Sequence, residues 1–100
     1  MKILQVVPRA DCDESLKALL KAKERALRGG TTAFRRRREG RWQHVKHPGW
    51  IRWDETMGGI LVAEIHPRGE GPDWQLLQSF VGYLDRHLGE YIESISITYR

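Results

Sequence analysis

Two amphipathic helical segments constrain the fold of this chain most, because each must bury an apolar stripe against a second layer. The first lies within DCDESLKALLKAKERALRGG, where leucines recur at helical spacing and basic residues populate the other faces. Asp11 with Glu14 three residues later has capping-box spacing and predicts the start of this helix. Gly29–Gly30 predicts its end, since glycine accepts a positive φ at little cost.

The second helical segment follows Pro72, which suits the first turn of a helix. Its apolar positions fall on one stripe, and Gly89 is the predicted stop. Trp74 begins the stripe, which continues through Leu77, Phe80, Val81, Leu84 and Leu88.

Short β-rich segments surround these helices. Lys2–Val7 and Ile60–Ile65 are largely apolar on both faces, which predicts interior strands. Near the C-terminus, Ile95, Ile97 and Tyr99 alternate with serine and threonine, which predicts a strand with one buried and one wet face.

The segment FRRRREGRWQHVKH is typical of a β-hairpin that turns at Glu39–Gly40. A two-residue turn places Arg38 opposite Arg41 and Phe34 opposite Val45, so the last two are predicted to contact the core. Strand alternation then assigns five side chains to the solvent face: Arg35, Arg37, Trp42, His44 and Lys46. After a turn at HPGW, Trp50 and Arg52 point to one side of the next strand.

The resulting order β-α-β-β-β-β-α-β predicts an α+β fold, a two-layer sandwich in which two helices pack on one face of a mainly antiparallel sheet. A chain of 100 residues supports one core, so we expect a single domain over residues 1–100. The element order resembles a ferredoxin-like fold with an enlarged central meander. The resemblance spans the chain but rests on element order alone, without a family-specific motif.

Charge is unevenly distributed along the chain. Residues 28–52 carry eight basic side chains and one acidic side chain, a net charge of +7. Residues 53–100 carry three basic and eight acidic side chains, a net charge of −5. Such a separation either steers anionic partners to one side of the molecule or is neutralised within the fold or between subunits.

The basic and aromatic hairpin predicts a non-enzymatic binding module for an anionic partner such as single-stranded nucleic acid. Cations contact phosphates, and flat rings or guanidinium planes stack on unpaired bases. The expected nucleic-acid-binding residues are Arg35, Arg37, Arg41, Trp42, His44, Lys46 and Arg52. The competing interpretation is a solvated edge hairpin whose charges prevent strand-to-strand aggregation.

Two other functions are compatible with the sequence. A sheet edge or a tryptophan-bearing face could form a homodimer without any ligand. A small enzyme could use Glu64, which interrupts an apolar strand, together with His66. For Glu64, a cross-strand pair with an arginine such as Arg52 or Arg36 is the simpler expectation.

No cofactor or metal site is predicted. His44 and His47 have H-x-x-H spacing, but a strand directs these positions to opposite faces. Cys12 is the only cysteine, which excludes an internal disulfide and a multi-cysteine zinc cluster. No apolar run approaches the roughly 18 residues of a membrane helix, so we expect a cytoplasmic protein with no membrane partner.

Overall fold

The computed structural model describes residues 1–26, 34–38 and 41–100, and for residues 35–38 it describes the backbone alone. Two helices pack on an antiparallel sheet, which confirms the predicted α+β class. The strands are β1 (Lys2–Pro8), β2 (Phe34–Arg38), β3 (Arg41–His44), β4 (Trp50–Glu55), β5 (Leu61–His66) and β6 (Ile92–Tyr99). The helices are α1 (Leu16–Ala26) and α2 (Trp74–Leu88).

The strands form one sheet in the order β2-β3-β4-β5-β1-β6, and every neighbouring pair is antiparallel. β1 and β5 lie inside the sheet, as their two apolar faces predicted. β2 and β6 form its edges.

The core lies between the helices and one face of the sheet. Cross-strand register aligns Ile51 with Ile65 and Ala63 with Leu4, so these buried residues share one face. Leu20 and Phe80 bring the two helices onto that face within the same core cluster. No described helix covers the opposite face, which we call the open face. Within the described ranges, neither helix has the length and apolarity needed to cross a membrane.

The start of α1 differs from the prediction. Ser15 Oγ accepts a hydrogen bond from the Ala18 N–H at 3.1 Å, the geometry of an N-cap, and α1 begins at Leu16. The predicted start at Asp11 is therefore wrong. Ser15, which lies closer to the apolar stripe, accepts the otherwise unpaired N–H of Ala18. The predicted stop at Gly29–Gly30 lies outside the described residues.

The predicted hairpin register is correct next to the turn and wrong by one residue farther from it. Arg38 pairs with Arg41 as predicted, but the register shifts between Arg36 and Arg38. Arg36 therefore pairs with Trp42, and Phe34 pairs with His44. A one-residue shift exchanges the two faces of a strand. It places Trp42 in the core, 3% exposed, beside Phe34.

Four apolar side chains expected in the core lie partly or largely in solvent. Val45 is 52% exposed because the shifted register places it beyond the end of β3. Trp74 is 50% exposed at the first position of α2, whereas Leu76 and Leu77 are buried. On edge strand β6, Ile97 is 39% exposed and Tyr99 is 69% exposed.

Candidate functional site

Arginines of three neighbouring strands are aligned across the sheet, and we call them the arginine row. Backbone register aligns Arg38 of β2 with Arg41 of β3, and Arg41 with Arg52 of β4. Arg52 in turn aligns with Glu64 of β5. Arg41 and Arg52 are both exposed. Arg41 and Arg52 therefore place two positive charges side by side on β3 and β4.

A stack of three planar groups runs beside this row. The Arg41 guanidinium carbon lies 4.1 Å from the centroid of the Trp50 ring. The His66 ring lies 3.8 Å from the Trp50 ring, with 8° between their planes. Because β4 lies between β3 and β5, the indole stands between the guanidinium and the imidazole. Cation–π contact and ring stacking thus restrict the rotamers of Arg41.

Gly49 allows the close approach that builds this stack. Its φ is +108°, and a Cβ atom at this position would lie 2.3 Å from the carbonyl oxygen of His66. A side chain at residue 49 would therefore displace the start of β4 from the end of β5. The HPGW turn sets the position of Trp50 against His66 for this reason.

Glu64 and His66 form a hydrogen-bonded pair on the open face. His66 Nε2 lies 2.9 Å from Glu64 Oε1. The expectation that Glu64 pairs with Arg52 is wrong for the carboxylate contact, although their backbones are aligned. Among the described side chains, no three histidine, cysteine or carboxylate groups converge to hold a metal ion.

Arg41 and Arg52 have no ion pair within the described part of the chain, unlike Lys2 and Lys17. Lys17 Nζ lies 2.7 Å from Asp54 Oδ1, and Lys2 Nζ contacts the Asp73 carboxylate. The hydrogen bond with Asp54 raises the pKa of Lys17, and that bond correspondingly lowers the pKa of Asp54. The guanidinium groups of the open face are thus available to a partner's anions.

The predicted nucleic-acid-binding residues divide between both faces of the sheet. The prediction that Trp42 lies on the solvent face is wrong, because its ring contacts Phe80 and Tyr83 of α2. Lys46 is exposed after β3, outside the arginine row. The side chains of Arg35 and Arg37 lie outside the described residues. Only Arg41 and Arg52 are brought together with their side chains described.

The prediction also places His44 on the solvent face, but this residue lies on the side of β3 that faces Phe34. Its ring packs edge-on against Phe34 at 5.0 Å and stacks on His47 at 4.4 Å. Its Nδ1 accepts hydrogen bonds from the backbone N–H groups of Lys46 at 2.9 Å and His47 at 3.2 Å. Partial burial, followed by the charges of His47 and Lys46, lowers the pKa of His44. This histidine therefore supports the turn after β3 in its neutral form.

Sequence reasoning omitted Trp50 from the site. Strand alternation places Trp50 and Arg52 on one side of β4, and the same rule places Glu64 and His66 together on β5. The sequence does not reveal the alignment of β4 with β5, which brings Trp50 next to His66. No protein-family profile matches the chain, and no curated protein or solved structure is significantly similar to it.

Proposed function

We propose that this protein is a binding module for an anionic partner, single-stranded nucleic acid, which it contacts through the open face. The observation that supports the proposal best is the direct alignment of Arg41 with Arg52 on adjacent strands, with no described carboxylate paired to either. Like charges directly opposite each other across two strands are destabilising. A phosphate between the two guanidinium groups offsets this repulsion.

The Trp50 stack gives Arg41 the properties of a nucleic-acid contact. Arginine binds phosphate through a planar fork of N–H donors, and stacking on an indole prepares that fork before the ligand arrives. The guanidinium plane that faces away from Trp50 also offers a surface on which an unpaired base can stack. One side chain thus serves both backbone and base contacts.

The shape of the open face favours single strands over duplexes. A sheet surface accepts bases that are splayed apart, whereas a duplex keeps its bases stacked inside. We further propose that the fold is ferredoxin-like, which the position of β1 between β5 and β6 supports. Sheets of that type frequently present an open face to RNA, and this support is by analogy of fold.

The test is fluorescence anisotropy with a labelled single-stranded oligonucleotide, in RNA and DNA forms, between about 50 and about 300 mM salt. We expect affinity to fall steeply with salt. In the double variant Arg41→Gln/Arg52→Gln, affinity should fall and the log–log salt slope should decrease by about 1.4, since each phosphate contact on a single strand contributes about 0.7.

The matched control is Lys21→Gln/Arg25→Gln, which removes two positive charges from exposed positions of α1. This control should retain most of the affinity and the salt slope. Absence of binding by the unmodified protein at the lowest salt rejects the proposal. Equal losses in both double variants assign the binding to net charge and reject the open face as the site.

The Glu64–His66 hydrogen bond supports a second candidate, an enzyme that uses acid–base catalysis. A carboxylate can orient an imidazole so that its other nitrogen exchanges a proton with substrate. Its test is hydrolysis of a panel of nitrophenyl esters and phosphates. Activity that is lost in His66→Gln and kept in Arg41→Gln/Arg52→Gln supports this candidate, and no hydrolysis by the unmodified protein counts against it.

A further inference from the structure

The two edges of the sheet are built differently. Edge strand β2 has the sequence FRRRR, and its ladder to β3 contains a register irregularity. Arginines and bulges are both devices that prevent an edge from pairing with another strand. Edge strand β6 has the sequence IESISITY, which is eight residues long and contains one charged residue and no proline. The β1–β6 ladder also has a register irregularity, but it lies at the start of β6, between Val7 and Pro8 of β1. The segment from Ser94 to Tyr99 pairs regularly with β1 and has none of the charged residues that protect β2.

The backbone of β6 presents a regular set of hydrogen-bonding groups to solvent. The Arg100 N–H donates to the Met1 carbonyl at 3.0 Å, and the Met1 amino group donates to the Arg100 carbonyl at 3.3 Å. Since hydrogen-bonded and non-hydrogen-bonded pairs alternate in an antiparallel ladder, Thr98 and Ser96 also bond towards β1. The N–H and C=O groups of Ile95, Ile97 and Tyr99 therefore point outward.

The side chains at these outward positions are apolar and incompletely buried. Ile97 is 39% exposed and Tyr99 is 69% exposed, while Ile95 packs against the core in part. All three share the helix side of the sheet, because they align with Leu4, Lys2 and Val6 of β1. The outward backbone groups and the exposed apolar side chains thus occur at the same residues.

We propose that β6 pairs with β6 of a second copy of this chain, antiparallel and about a two-fold axis at Ile97. This arrangement sets Ile97 against Ile97 of the second copy, and Ile95 against Tyr99. About six backbone hydrogen bonds close the gap between the two sheets, two from each of three aligned pairs. The two copies then share one continuous sheet.

Charge at the ends of β6 favours the antiparallel arrangement and a copy of the same chain as its occupant. Glu93 lies near the start of the strand, and Arg100 follows its end. Antiparallel self-pairing brings Glu93 of each copy near Arg100 of the other, whereas parallel pairing brings like charges together. The strand is in this sense complementary to itself.

This contact is separate from the proposed nucleic-acid face. β6 and the arginine row lie at opposite ends of the sheet, with β5 and β1 between them. Variants of Arg41 and Arg52 should therefore leave self-association unchanged. A protein that does not dimerise through β6 could still bind nucleic acid through the open face, and the reverse also holds.

The test is sedimentation velocity from low micromolar concentration to about 0.5 mM. We expect a monomer–dimer equilibrium that is weakened about tenfold or more in Ile97→Lys, because the variant places two ammonium groups against each other at the axis. The variant Gln78→Lys adds the same charge at an exposed position of α2 and should dimerise like the unmodified protein.

Ile97→Pro supplies a second measurement that depends on the backbone. Proline removes the outward N–H of residue 97 without removing a hydrogen bond to β1, so the protein should fold and lose self-association. Circular dichroism checks folding of each variant. A concentration-independent monomer of the unmodified protein overturns the proposal, and so does unchanged dimerisation of the folded Ile97→Lys variant.

Discussion

The imidazole of His66 lies 3.8 Å from the indole of Trp50, with the two rings nearly parallel. These residues belong to adjacent strands and are directly aligned across the β4–β5 ladder. Arg41 stacks on the same indole from β3. A cation is thereby held in place on the open face by aromatic contacts instead of a carboxylate.

Trp50→Leu should weaken binding of a single-stranded oligonucleotide without changing the number of cations. Loss of the cation–π contact, worth about 0.5–1 kcal/mol at an exposed site, predicts an affinity about two- to fivefold lower. The salt slope should stay unchanged, and anisotropy titrations measure both quantities. Trp74→Leu is the control, since Trp74 is an exposed indole on α2. Equal effects of the two substitutions contradict the role given to the stack.

Trp42→Ala should destabilise the fold strongly. The Trp42 ring contacts Trp53 at 5.6 Å and Tyr83 at 5.5 Å in the core, and truncation of a buried tryptophan costs about 3–5 kcal/mol. Val45→Ala in the segment after β3 should change the free energy of unfolding by less than about 0.5 kcal/mol. Urea denaturation of both variants measures the difference. The reverse ranking would mean that the hairpin follows the register predicted from the sequence.

Acidification should destabilise the turn after β3 through His44. The folded-state pKa of His44 is lowered, so below about pH 6.5 the unfolded chain binds this proton more readily than the folded chain. Stability is therefore retained above that pH and falls as the pH decreases from there towards the folded-state pKa. Chemical denaturation between about pH 7.5 and 5.5 measures the effect.

His44→Asn is the matched variant for this pH dependence. The Asn side-chain oxygen can accept the Lys46 and His47 N–H groups in place of Nδ1, but it does not titrate. The variant should lose less stability on acidification than the unmodified protein. His87 also has a pKa lowered by burial, so a residual pH dependence is expected. An identical pH dependence in both proteins argues against the role of His44.

Ser15→Ala should reduce the free energy of unfolding by about 1 kcal/mol, the usual cost of removing an N-cap acceptor. The hydrogen bond from the Ala18 N–H to Ser15 Oγ is the interaction removed. Asp11→Ala, at the position that the sequence pattern favoured as the cap, should have almost no effect. Thermal and urea denaturation compare the two, and a larger loss for Asp11→Ala would restore the original assignment.

The sequence alone determined the elements and their layers. The spacing of Leu16 and Leu20 in α1, and of Phe80 and Leu84 in α2, requires a single apolar surface for each helix to cover. The apolar faces of β1 and β5 likewise require interior positions. These features depend on local periodicity, which survives an error of a few residues at an element boundary, such as the misplaced start of α1.

Tertiary structure decided the faces of the hairpin and the composition of the site. The irregularity between Arg36 and Arg38 shifts the pairing of β2 with β3 by one residue relative to the turn. In the shifted register Trp42 is buried in the core. Stacking of Trp50 between Arg41 and His66 depends on the alignment of three strands. A strand pattern with period two is equally regular in either register, so only packing against α2 selects which tryptophan enters the core and which remains on the open face.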